Sequence, residues 1–197
     1  MKSKNATFND DRRDAVDAHE RGRNYLTPPQ MEQLLKAAKN SRHPERDQAL
    51  ILMLYRHGLR ETELCQAKLS HLDLVTERFW VARIKGGLST DQPVVGLELR
   101  LLKRYLRTRR DTLPWLFVSE RQGPLSRHTV IYVVGRSAEA AGLGHIHPHM
   151  LRHSCGYYLA NNGHDLRLIQ DYLGHRDPKY TALYTRTAAC RFEGLWE

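Results

Sequence analysis

The stretch from Pro44 to His57 limits what this chain can fold into more than any other. It holds seven consecutive apolar residues, Ala49-Leu50-Ile51-Leu52-Met53-Leu54-Tyr55, between Gln48 and Arg56. A helix that is apolar around its whole circumference must be covered on every side. Crossing a bilayer would take about 20 such residues. The run therefore predicts a central buried helix over 44–57, ended by Gly58, with other helices packed around it. A chain of 197 residues, 41% of them apolar, is long enough to supply that cover as one domain.

The flanking pattern is also helical. Thr27 and Pro28 open a helix in which Met31, Leu34, Leu35 and Ala38 fall at helical spacing. Glu61 to about Lys68 fits a short helix, and Leu97–Arg110 an amphipathic one with Leu99, Leu102 and Leu106 on one face. Ser126 caps a helix toward Ala140. Further helices are expected at 149–162, 165–173 and 178–189, with Asp165 and Asp177-Pro178 starting the last two. Strand signals are confined to Phe79, Val81 and Ile84, a turn at Lys85-Gly86-Gly87, and a return at Val94-Val95. The expected class is mainly α with a small antiparallel β-sheet. Residues 1–24, polar and of mixed charge, read as a flexible arm.

Basic residues outnumber acidic ones 31 to 22, for a net charge of +9, which calls for a polyanionic partner. Six of the cations, Arg100, Lys103, Arg104, Arg107, Arg109 and Arg110, crowd one eleven-residue stretch of the amphipathic helix, as a phosphate-tracking surface would. Cys65, Cys155 and Cys190 form no CxxC pair, which argues against a disulfide framework or a zinc ribbon. With no charged-then-apolar leader and no membrane-length run, the expected location is the cytoplasm, with no membrane partner.

The C-terminal third carries the most specific pattern: His147-Pro148-His149-Met150-Leu151-Arg152-His153, then Leu173-Gly174-His175, then Tyr184. Upstream, Gly58-Leu59-Arg60-Glu61 and Lys85-Gly86-Gly87 complete an Arg…Lys…HisxxArg…His…Tyr order. From about Tyr25 to the C-terminus this resembles the tyrosine recombinase (phage integrase) family, and within it the fimbrial phase-variation recombinases, whose ending Arg-Phe-Glu-Gly-Leu-Trp it shares. The resemblance implies the fold of the tyrosine recombinase catalytic domain over residues 25–185. It implies Tyr184 as nucleophile, Arg60 and Arg152 as the phosphate-binding arginines, His149 and His175 as the histidines, and Lys85 as the lysine of the β-turn. It implies double-stranded DNA as partner, a homotetramer on two recombination sites, and no cofactor or metal. It also implies that residues 186–197 form a tail docking on a neighbouring protomer, with Phe192, Leu195 and Trp196 as anchors. The biological outcome would be inversion of a DNA element that controls fimbrial gene expression. Most of the family carries a further N-terminal DNA-binding domain, for which residues 1–24 are too short. Accessory DNA-bending proteins, or the arm itself, would then grip the far side of the duplex.

The residue types suit such chemistry. A phenol can hold a DNA strand as a phosphotyrosine, which conserves the bond energy needed to rejoin it. Two planar guanidiniums, Arg60 and Arg152, can clamp the non-bridging oxygens as charge grows on them. Lys85 can protonate the leaving 5′ oxygen, His149 can help move the tyrosine proton, and His175 can bond a phosphate oxygen.

Each residue also has a plainer reading. Arg60 can cap the helix before it, Lys85 is an ordinary turn lysine with Lys68 and Lys103 as competitors, and His175 can answer a helix dipole. Tyr180 lies one turn before Tyr184, while Tyr157, Tyr158 and Tyr172 read as packing residues, and His147 and His153 as helix-terminal groups. His145, His147, His149 and His153 also suggest a metal site, although no His-Glu-x-x-His motif is present. A catalytically inactive DNA-binding regulator of the same fold, a metal-dependent nuclease and a strand-relaxing topoisomerase stay as alternatives.

Overall fold

The computed structural model describes residues 24–84, 86–186, 188–191, 193 and 196. Eight α-helices are described: α1 (Pro28–Ala38), α2 (Pro44–Arg56), α3 (Glu61–Gln66), α4 (Leu97–Thr108), α5 (Arg127–Ala140), α6 (Pro148–Asn161), α7 (Leu166–Leu173) and α8 (Lys179–Arg186). Between α3 and α4 lie β1 (Leu72–Asp73), β2 (Arg78–Val81) and β3 (Thr90–Pro93), an antiparallel sheet in the order β1-β2-β3. The expected arm falls almost wholly outside the described residues, as do Lys85, Phe192 and Leu195. Trp196 is 95% exposed.

Helix α2 is the axis of the fold, and α1, α3, α4 and α6 pack against it. Leu50, Ile51, Met53 and Leu54 are fully covered, each burial contributing roughly 1.5–3 kcal/mol. Local signals set where the helices begin. The Gln30 side chain accepts the Thr27 N–H at 2.9 Å ahead of α1. Ser126 Oγ accepts the Thr129 N–H at 3.1 Å ahead of α5, and Asp165 Oδ1 the Leu168 N–H at 2.9 Å ahead of α7. These side chains satisfy donors that a helix start leaves open.

Three expectations shift. The return strand is Thr90–Pro93, not Val94-Val95. Only Gln92 of that strand is buried, so its sequence lacks apolar alternation; it is held by pairing with β2 and by the Gln92 amide, which meets His57 Nδ1 at 2.8 Å and donates to the Tyr172 carbonyl at 2.9 Å. Helix α4 is rolled from the expected face: Glu98, Leu101, Leu102 and Tyr105 are buried, while Leu99 and Leu106 flank them. The buried Glu98 carboxylate lies 3.1 Å from His57 Nε2 and 3.5 Å from Arg56, close to both but hydrogen-bonded to neither. Tyr158, expected to pack, is 47% exposed, with its ring edge to face with that of Tyr55.

Apolar packing is divided between two clusters. The larger gathers α1–α5 and the start of α6. The smaller joins the rest of α6 to α7 and α8 through Cys155, Tyr157, Ala160, Ile169, Leu173 and Tyr184. The boundary falls at the C-terminal end of α2, where the charged residues collect. Among the described residues no helix is long and apolar enough to cross a membrane.

Candidate active site

The chain turns sharply at Gly58, whose backbone is left-handed (φ +53°); a Cβ there would sit 2.4 Å from Leu173 Cδ2. Only glycine permits this approach, and it turns the Gly58 carbonyl toward two arginines. Arg152 donates to that carbonyl through Nη1, and through Nη2 to the Leu173 carbonyl at 2.8 Å. Arg83 donates to the same Gly58 carbonyl at 3.1 Å and to the His57 and Tyr172 carbonyls at 2.7 Å each.

Arg60 stands at the start of α3. Glu63, three residues on, reaches back to accept the Arg60 N–H at 2.9 Å, half of a capping box. Its other oxygen takes Arg60 Nη1 at 2.7 Å, while the first also accepts Arg83 Nη1 at 2.8 Å. One buried carboxylate thus fixes two guanidiniums, and its pKa is lowered chiefly by Arg83 against the cost of burial. Arg152 is also fully buried, and its pKa falls to about 10, through burial and then repulsion from Arg83 and Arg60.

The histidines approach from two sides. Pro148 occupies the first turn of α6, so His149 lies at that helix's positive N-terminal end, a setting that favours anions. Its pKa is lowered by desolvation, then by Arg152 and His147. His175 follows Gly174, whose left-handed backbone ends α7, and its Nδ1 lies 2.9 Å from Thr181 Oγ1. Its pKa drops to about 3, from burial and then the charges of Arg152, Arg60 and Arg83.

Tyr184, on α8, is 2% exposed. Its ring lies against the backbone of α6 at Gly156, where a Cβ would come within 2.6 Å of it. The phenol oxygen is 2.9 Å from His153 Nδ1, and the ring lies nearly parallel to His175 with centroids 6.2 Å apart. Burial raises the phenol pKa, and Arg152 and Arg60 act to lower it. Tyr180, the competing tyrosine, is 69% exposed.

Arg60, Arg152, His149, His175 and Tyr184 therefore converge where α2, α3, α6, α7 and α8 meet. Two further residues belong to the same place: Arg83, which the sequence did not single out, and His153, read there as a helix-terminal group but lying inside α6, where it meets the phenol. Helix α4 runs antiparallel to α2, and Arg104 donates to Gln48 Oε1 at 2.5 Å; Arg100 and Arg107 are exposed and Lys103 half-buried. Among the described residues no group of three or more His, Cys, Asp or Glu side chains is arranged to hold a metal. The rings of His149 and His153 meet edge to face, 4.5 Å between centroids. Cys65, Cys155 and Cys190 are free thiols.

Comparison with known proteins places this geometry. The chain is 43% identical over 185 residues to the type 1 fimbriae regulatory protein FimB of Escherichia coli K12, covering 91% of this chain and 92% of that one. It is 40% identical over 181 residues to FimE of the same strain, covering 89% and 91%. The crystal structure of XerA recombinase superposes with a TM-score of 0.73 at 29% identity, covering 82% of this chain and 58% of that one. The chain thus spans a little over half the length of that solved relative. The model of the phage integrase family matches residues 24–191. With that match, those relatives and that superposition in agreement, the chain belongs to the phage integrase family, the tyrosine recombinases.

Proposed function

We propose that this protein is a site-specific DNA recombinase that cuts and rejoins strands through a covalent bond between Tyr184 and a 3′ phosphate. The observation that carries this reading is the gathering of Arg60, Arg83 and Arg152 beside a tyrosine, with Glu63 offsetting one of their charges. So many cations in one half-buried place make a site for a phosphate.

Arg60, the more open of the two clamping arginines, meets the phosphate first, and Arg152 bonds it from below. His149 adds the anion-favouring start of α6, and His175, neutral at pH 7, gives a further hydrogen bond. The Tyr184 oxygen attacks phosphorus, the bond to the 5′ oxygen breaks, and Lys85 supplies that oxygen with a proton. Attack by the 5′ hydroxyl of a partner strand reverses these steps and frees the tyrosine. All of these cations are side chains, so the sequence of bonds closes without a cofactor.

We assign double-stranded DNA as substrate, with Arg100, Lys103 and Arg107 of α4 along the backbone; Arg104 is partly spent on Gln48. The likeness to FimB and FimE, type 1 fimbriae regulatory proteins, supports a part in the control of fimbrial genes; the route proposed is inversion of a DNA element by four protomers joining two sites, with accessory DNA-bending proteins assisting. Paired sites in inverted orientation on one plasmid test the outcome. Inverted product supports the reading, whereas relaxation of supercoils without recombinants contradicts it.

A further inference from the structure

Any phenol that attacks phosphorus must lose its proton; the sequence pointed to His149 for this task, but among the described contacts it is His153 that meets the phenol oxygen. We infer that His153 is the catalytic residue that accepts the Tyr184 proton. This rests on the reading of Tyr184 as the nucleophile.

The geometry is specific. His153 Nδ1 lies 2.9 Å from the phenol oxygen, within the reach a general base needs. With the ring proton on Nε2, Nδ1 is free to accept. The rings meet at 61° with centroids 5.8 Å apart, so His153 approaches the hydroxyl rather than stacking over the ring. Gly156 makes this possible, because any side chain there would hold the tyrosine ring off α6. His149, one turn earlier on the same helix, meets the edge of the His153 ring but makes no bond to the phenol among the described contacts.

The surroundings explain why the pair is inert without DNA. Burial, then His149, Arg152 and His147, hold the His153 pKa down to about 4, so the free enzyme keeps the proton on the phenol. A phosphate seated on Arg60 and Arg152 cancels the positive charge that opposes an imidazolium. The transfer then balances. The O–H bond of Tyr184 breaks as its O–P bond forms, the proton moves to His153, and the 5′ oxygen departs with a proton from Lys85. On rejoining, His153 returns its proton to the tyrosine.

The test compares covalent adduct formation on a nicked suicide substrate by the wild type, His153→Gln and His153→Phe, each with DNA affinity and thermal melting measured alongside. Both variants are expected to keep binding while forming the adduct about a hundredfold more slowly. Replacing Tyr184 by 3,5-difluorotyrosine, whose phenol sheds its proton more readily, is expected to recover about tenfold of that loss in either variant. A purely structural role for His153 would not respond to phenol acidity. Adduct on Tyr184 at the wild-type rate in a folded variant, or no recovery with the fluorinated ring, would overturn this inference alone. Wild-type adduct on another tyrosine would overturn the nucleophile reading, and this inference with it.

Discussion

The two halves of the site are built differently. The arginine half is fixed into the body of the protein: Arg152 and Arg83 donate to four backbone carbonyls between them, and Glu63 ties Arg83 to Arg60. The tyrosine half rests on the smaller apolar cluster, where α8 is held by the packing of Tyr184 and Ala188 and by the bonds to His153 and His175. The phosphate-binding half is thus preorganised, as electrostatic catalysis requires. The nucleophile half is held under cover by apolar packing and by side-chain bonds to two histidines, without buried ion pairs among the described residues. Changes in the first half should damage the fold and the chemistry together; changes in the second should damage the chemistry while leaving the fold.

The largest expected effect is on Glu63→Gln. It leaves Arg83, whose side chain has no exposed surface, without its counter-charge. Breaking a buried pair in this way costs about 3–5 kcal/mol. Chemical denaturation measures this, and a loss below about 1 kcal/mol, the scale of a surface pair, would show that the arginine half is not fixed as described. Next comes Arg152→Ala. Adduct formation is expected to fall about 10²–10³-fold, the effect of removing one charge-stabilising donor, together with a lower melting temperature because the Gly58 and Leu173 carbonyls lose their partner.

Gly156→Ala probes the other half. Overpacking of this kind costs about 1–3 kcal/mol when it cannot be relieved, but here the tyrosine can swing away. Melting should therefore change little, while nitration of Tyr184 by tetranitromethane, mapped by mass spectrometry, should rise toward that of exposed Tyr180 and Tyr132. Protection of Tyr184 equal to the wild type would break the contrast between the halves.

The remaining effects appear only on acidification. His175 and His153 have folded-state pKa values of about 3 and about 4, below their ordinary value of 6.5. Between those limits the unfolded chain binds more protons, so stability is expected to fall as the pH drops from about 6.5 toward 3. His175→Gln should flatten part of that slope. The Glu63 pKa lies below its ordinary 4.5, so its contribution is present above that pH and is lost as the pH falls through the lowered value. Glu63→Gln should remove that acid-side component and leave the histidine slope intact.

What could be read from the sequence follows from how local the signals are. The α2 run and the caps at Thr27, Ser126 and Asp165 act within a few residues, so the helices they set were legible. The candidate residues stood out because their order along the chain is distinctive. Arg83 did not, because its burial depends on carbonyls at 57, 58 and 172 and a carboxylate at 63. Without those partners it reads as an ordinary cation at a strand end. His153 was visible as a neighbour of Arg152, but its phenol partner is 31 residues away and on another helix. The polar strand Thr90–Pro93 was hidden for a related reason, since its place is fixed by ladder pairing and by Gln92 rather than by apolar alternation.

On the proposed mechanism Tyr184 bonds covalently to a phosphate held by Arg60 and Arg152. Incubating the full chain with a nicked suicide substrate, digesting the product and sequencing the DNA-linked peptide tests it most directly. The expected result is a single linkage at Tyr184, absent from Tyr184→Phe, which still binds the DNA. A linkage at Tyr180 or any other residue, or an undiminished adduct in Tyr184→Phe, would contradict it.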